Sequence, residues 1–217
     1  MLEGYIHPDF WRTAQTFEKI MPRKGNGGAA LCVYHRGEKV VDIWGGTRDD
    51  DGNPWLGDTL ALSYSTTKGV ASTLIHILAD RGLIDYDAPV SLYWPEFAAE
   101  GKDLITVRQL MSHEAGLYDI RHLVDDAQRM LDWTYMTDAL AAAKPVHEPG
   151  TAHGYHGLTY GWLVGELAQR VTGKPFGELL QSEIAAPLGL GGLYVGLPED
   201  QMHRRAKLII PASQNNP

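Results

Sequence analysis

The chain has 217 residues, 44% of them apolar and 21% charged, and 27 acidic against 19 basic side chains leave a formal net charge of −8. That length suits one large domain or two small interleaved ones, with enough apolar material to fold without metal or disulfide support. The acidic balance argues against nucleic acid or an anionic membrane surface as partner, and the single cysteine, Cys32, excludes an intrachain disulfide.

Residues 8–21 carry Phe10, Trp11, Ala14, Phe17, Ile20 and Met21 at helical spacing, which predicts an amphipathic helix. Gly25-Asn26-Gly27-Gly28 breaks it. The first twenty residues lack the apolar core of a signal peptide, and the longest apolar run, 69–79, is too short to span a bilayer. The expectation is therefore a cytoplasmic protein. Residues 29–35 and 39–44 read as two strands joined at Arg36-Gly37-Glu38. This hairpin is apolar on both faces, Ala29, Leu31 and Val33 alternating with Ala30, Cys32 and Tyr34, so Cys32 reads as a small buried hydrophobe. A lone two-sided ribbon is marginal in water and calls for further strands and helical cover. Those strands are expected either from the stretch after Leu193 or from a larger whole, a C-terminal part or a second chain.

Residues 65–81 form a predicted helix that is apolar on nearly every face, through Val70, Ala71, Leu74, Ile75, Ile77 and Leu78, and Gly82 stops it. A short helix should end near Trp94-Pro95, and another should start at Thr106 as N-cap and run to Ser112. Residues 120–130, 136–143, 159–172 and 176–185 are further helical segments, with Gly173 and Pro187-Leu188-Gly189-Leu190 as stops.

The chemistry starts at Ser65-Thr66-Thr67-Lys68. Residues three apart on a helix share a face, so the Lys68 amine reaches the Ser65 hydroxyl. The helix N-terminus favours a developing alkoxide. A lysine with a pKa of about 10.4 is a poor base at neutral pH, and desolvation is the expected means of lowering it. The competing explanation is a plain N-cap at Ser65 and a solvated first-turn Lys68. An idle ammonium is poorly placed at the head of so apolar a helix.

A second element, Pro149-Gly150-Thr151-Ala152-His153-Gly154-Tyr155-His156-Gly157-Leu158, directly precedes a strong helix. With it the sequence resembles the class C β-lactamases, D-alanyl-D-alanine peptidases and family VIII carboxylesterases. The resemblance is carried by Trp44-Gly45-Gly46, Leu62-Ser63-Tyr64-Ser65-Thr66-Thr67-Lys68 and Gly82-Leu83-Ile84-Asp85. It continues through Leu110-Met111-Ser112-His113-Glu114-Ala115-Gly116-Leu117, Val171-Thr172-Gly173-Lys174-Pro175-Phe176 and Pro187-Leu188-Gly189-Leu190. It implies that Tyr155 shuttles a proton between Ser65 and the leaving group, with Lys68 beside it. A core tyrosine with a satisfied hydroxyl is the alternative. Gly157 stands where the lactamases carry Asn, closer to the esterase branch. The family's third motif, a Lys-Thr-Gly, His-Gly-Gly or Trp-x-Gly strand, has no counterpart towards the C-terminus, and Trp44-Gly45-Gly46 lies at the wrong end to supply it.

The remaining motifs point elsewhere or nowhere. His147, His153 and His156 lack a His-Glu-x-x-His pattern and read as polar surface or site lining, not a metal centre. His113 reads as a satisfied core histidine. The glycines at 25–28 do not link a strand to a helix, and no Gly-x-Ser-x-Gly elbow is present. The expected fold is α/β of the α+β type, an antiparallel sheet flanked by helices plus a mainly helical subdomain, lacking its C-terminal strands. Residues 1–84 would form the first part, 85–185 the helical subdomain and 186–217 a return segment, with the site in a cleft between the first two.

The expected reaction is hydrolysis of a short-chain carboxylic ester, with catalytic Ser65, Lys68 and Tyr155 and with Tyr64, His156 and Gly157 against the substrate. Trp133, Tyr135 and Tyr160 are candidate pocket walls. Neither cofactor nor metal is called for; the partners implied are a small-molecule ester and a C-terminal part or second chain that completes the fold, and homo-oligomer formation is left open. Two rivals stand beside this reading: β-lactam or D-Ala-D-Ala hydrolysis by the same residues, and a non-catalytic sensor or assembly subunit.

Overall fold

A computed structural model of the chain describes residues 2–21 and 27–208. They form an α+β fold in two compact units, Met1–Leu62 with Leu197–Pro217, and Ser63–Gly196.

The first unit holds three antiparallel strands in the order β1-β3-β2: β1 (Leu2–Ile6), β2 (Gly28–His35) and β3 (Glu38–Gly46). The expected hairpin is β2–β3, but β3 is central, because β1 pairs along its other edge from Leu2 opposite Gly45 to Ile6 opposite Val41. Sequence patterning misses β1: Glu3 and Gly4 are weak strand formers. Gly4 sits at φ +106°, and a Cβ there would lie 2.0 Å from the Asp42 carbonyl oxygen. Helix α1 (Trp11–Ile20) lays Ala14 and Phe17 on Val40, Val41 and Ile43, with Ala29, Leu31 and Val33 at the margin of that core. The alternate face of β2 stays open, so Cys32 is exposed, which corrects the expectation of a buried thiol. Gly25 and Asn26, expected to break the helix, lie outside the described residues. The return segment adds no strand among the described residues. It is fastened instead by a bridge from Leu60 to Arg205, an Arg204 side-chain hydrogen bond to the Asp58 carbonyl at 2.9 Å, and a Lys207–Asp50 ion pair.

The second unit is helical: α2 (Thr66–Asp80), α3 (Val107–Met111), α4 (Ile120–Leu123), α5 (Trp133–Ala142), α6 (Thr159–Thr172) and α7 (Phe176–Leu180). Its core runs through α2 and α6, where Leu74, Ile75, Leu78, Leu163, Val164 and Leu167 are buried. Each such side chain stabilises the fold by about 1.5–3 kcal/mol. Helix α2 buries one stripe and leaves Gly69, Thr73 and His76 exposed, so it is not enclosed on every face as its composition suggests. Thr106 caps α3 in a reciprocal box with Gln109, and α6 ends at Gly173. The segment expected as one helix over 120–130 is α4 followed by a separate 3-10 turn, Ala127–Leu131, capped by Asp126. Helix α2 lies within the Ser63–Gly196 unit. No helix among the described residues is long and apolar enough to cross a membrane.

Candidate active site

Tyr64, at φ +48°, turns the chain into α2, and its carbonyl accepts from the Thr67 N–H at 3.0 Å. Ser65 stands at the N-cap but makes no side-chain cap bond, which leaves its hydroxyl to other partners. One turn on, the half-buried Lys68 Nζ donates to Ser65 Oγ at 3.2 Å and to the Gly157 carbonyl at 2.7 Å. Ser72 donates to the Lys68 carbonyl at 2.9 Å and meets the Tyr160 hydroxyl at 2.7 Å, tying α2 to α6 behind the lysine.

Tyr155 arrives on the loop before α6, and its hydroxyl donates to Ser65 Oγ at 2.8 Å. Lys68 Nζ lies 4.9 Å from the centre of its ring. The hydrogen bond to Ser65, and then Lys68, hold the phenol below its ordinary pKa. Amine and phenol therefore converge on the Ser65 hydroxyl oxygen.

The loop is clamped from beneath by two histidines. His113, at the left-handed φ of +67°, accepts the Gly154 N–H on its carbonyl at 3.0 Å and the His156 N–H on Nδ1 at 3.1 Å. Its ring centre is 5.1 Å from that of Tyr155. Tyr155 is thus held on both sides by one residue. His156 is fully buried. The Leu117 N–H donates to its Nε2 at 3.0 Å, so the proton resides on Nδ1, which donates to the Gly154 carbonyl at 2.8 Å. Burial pushes its pKa down to about 4. Both nitrogens are spent on the main chain, so His156 anchors the loop, and it is not among the residues that line the hollow beside Ser65. Sequence reasoning placed His113 in the core; its grip on the Tyr155 loop needed the fold to be seen.

A hollow of about 440 Å³ opens beside Ser65 and Lys68, bounded by Tyr64, Trp133, Gly157 and Tyr160. Trp162, Phe176, Leu158 and Val195 also line it. These four were not singled out, because Trp162 and Phe176 fit the helical period and read as core. Tyr135 does not line it and stacks under the Arg129 guanidinium, 4.9 Å from its ring centre. A second hollow of about 520 Å³, around Gly116, Asp119, His122 and Lys144, does not include Ser65. Among the described residues no cluster of three or more histidine, cysteine or acidic side chains is placed to hold a metal ion.

The beta-lactamase family model matches residues 13–216. An esterase/beta-lactamase of Mycobacterium tuberculosis, LipL, is 45% identical over 210 residues, covering 96% of this chain and 48% of its own length. The crystal structure of a penicillin-binding protein homologue from Caulobacter crescentus superposes with a TM-score of 0.92 at 40% identity, over 98% of this chain and 57% of that one. That of a family VIII carboxylesterase gives 0.87 at 43% identity, over 96% and 57%. The chain spans about half the length of the curated relatives it matches.

Proposed function

Because this chain belongs to the beta-lactamase family, we propose that it is a serine hydrolase cleaving short-chain carboxylic esters through an acyl-enzyme on Ser65. The observation that carries this reading is the meeting at Ser65 Oγ of Tyr155 Oη at 2.8 Å and Lys68 Nζ at 3.2 Å. In this reading the reactive form has Tyr155 deprotonated, its phenolate charge balanced by the Lys68 ammonium, and it takes the Ser65 proton; the lowering of its pKa by Ser65 and Lys68 supports that role. Ser65 Oγ bonds to the ester carbonyl carbon. The Ser65 backbone N–H at the head of α2 faces the developing oxyanion. When the tetrahedral intermediate collapses, the ester C–O bond breaks and Tyr155 returns its proton to the departing alkoxide. Water then attacks the acyl-enzyme along the same proton path and releases the acid.

Gly157 supports esters over β-lactams, since it leaves the space beside Tyr155 without an amide-binding side chain. Among the relatives are proteins named esterase and beta-lactamase, so both substrate types belong in the test. A fluorophosphonate should label the full-length protein at Ser65, with labelling lost in Ser65→Ala, and p-nitrophenyl butyrate should be turned over faster than nitrocefin. An unlabelled Ser65 sinks the hydrolase, and faster nitrocefin turnover replaces the ester with a lactam.

A further inference from the structure

We propose that the hollow beside Ser65 is an acyl pocket for a neutral, apolar acyl group, and that Trp133 is its specificity-determining wall. This rests on the hydrolase reading above and names the substrate class for that same site.

The assignment to the acyl side follows from the proton path. The leaving oxygen must take its proton from Tyr155, yet Tyr155 does not line the hollow whereas Ser65 and Lys68 do. The ester arm that fills it is therefore the one across the carbonyl from the leaving group. Among the described residues lining it, Lys68 alone carries a charge, and its ammonium is already engaged by Ser65 and the Gly157 carbonyl. Trp133, Trp162, Phe176, Leu158 and Val195 supply an apolar lining. A carboxylate brought into such a site would be desolvated without a free cation to receive it.

Trp133 differs from its neighbours in how firmly it is set. Asp132 caps α5 by accepting from the Tyr135 N–H at 3.0 Å, which places Trp133 at the first position of the helix. Its indole N–H donates to Glu166 at 2.7 Å. The same carboxylate accepts from Arg170 at 2.7 Å, and Arg170 also reaches Glu96 at 3.0 Å. The far edge of the ring lies against Gly165, where a Cβ would come within 2.6 Å of it. Cap, carboxylate and bare helix surface together hold one indole plane at the hollow, with little freedom to yield to a longer chain.

The test is the acyl-length profile of the full-length protein, as kcat/KM for p-nitrophenyl acetate, butyrate, octanoate and hemisuccinate. In Trp133→Ala the octanoate-to-butyrate ratio should rise at least tenfold, because a pocket discriminates single methylenes by about 10- to 200-fold. Trp133→Phe keeps an aromatic ring but is smaller and loses the Glu166 bond, and should shift the ratio the same way by less. It also serves if the alanine variant does not fold, which thermal unfolding reports. In the native protein hemisuccinate should be hydrolysed at least tenfold less efficiently than butyrate. A ratio within twofold of native in the folded variants overturns the role of Trp133, and hemisuccinate turnover equal to butyrate overturns the neutral acyl class. Fluorophosphonate labelling separates the levels: if Ser65 labels while the profile stays put, only this inference fails, and if it does not label, the hydrolase reading fails first.

Discussion

Two lysines of the helical unit invite comparison. Lys68 and Lys102 both direct their ammonium groups at main-chain carbonyls and not at a carboxylate: Lys68 at Gly157, Lys102 at Ala99 (2.8 Å) and Ala143. Lys102 is the more enclosed, fully buried against Phe97, and burial lowers its pKa to about 8. By desolvation alone it would be the reactive one. Yet it touches no hydroxyl, whereas Lys68 has Ser65 Oγ at 3.2 Å and an open hollow beside it. Under the proposed hydrolase mechanism, what equips a buried amine for chemistry is the hydroxyl within its reach, not the depth of its burial.

The largest effect is expected from Lys68→Met, which removes the cation beside the Tyr155 phenol and should lower kcat/KM on p-nitrophenyl butyrate by about 10²–10³, the usual span for loss of one preorganised charge-stabilising donor. The melting temperature should stay within a few degrees. A loss under tenfold would erase the distinction between the two lysines.

His156 sharpens the comparison through pH. Its folded pKa of about 4 lies below the ordinary 6.5, so the unfolded chain takes up a proton that the folded chain refuses. Stability therefore falls as the pH drops from 6.5 towards 4, by at most about 3 kcal/mol. Hydrogen exchange should show the Leu117 and His156 amides losing protection in that window before the amides around Lys102. Loss in the reverse order would mean that the histidine clamp is not the acid-sensitive part.

The smallest effect belongs to Lys102→Met. It removes a desolvated ammonium but strands two carbonyls, so the net change at pH 7 should be a gain of about 1 kcal/mol in urea unfolding. The sign should also depend on pH. Between about 8 and 10.5 the folded native chain has released the Lys102 proton while the unfolded chain retains it, so native stability rises across that interval and the variant lacks this rise. A loss of several kcal/mol at pH 7 would show the buried ammonium to be a principal support of the fold.

Sequence legibility follows the range of the interactions. Ser65 and Lys68 lie three residues apart at a helix start, so their proximity is local and readable. Tyr155, 90 residues from Ser65, was nominated through resemblance, and its distance from the hydroxyl required the fold. The second edge of β3 was hidden because Glu3 and Gly4 do not alternate like a strand. Cys32 was misjudged because an apolar alternation does not say which face is covered. The anchoring bonds of His156 were hidden for a related reason. A histidine next to a site tyrosine looks like lining until both ring nitrogens are traced to Leu117 and Gly154.

The left-handed backbone at Tyr64 has a consequence for substitution at that position. A side chain there bears strain of about 1–2 kcal/mol that glycine would escape, so backbone comfort does not explain the tyrosine. What glycine cannot offer is the ring that forms part of the wall beside Ser65. Exchange to glycine should relax the turn while enlarging the chamber, and exchange to valine or isoleucine should do worse on both counts, because branching at Cβ resists this conformation most. Position 64 is thus one where conformational ease and cavity shape pull a library in opposite directions.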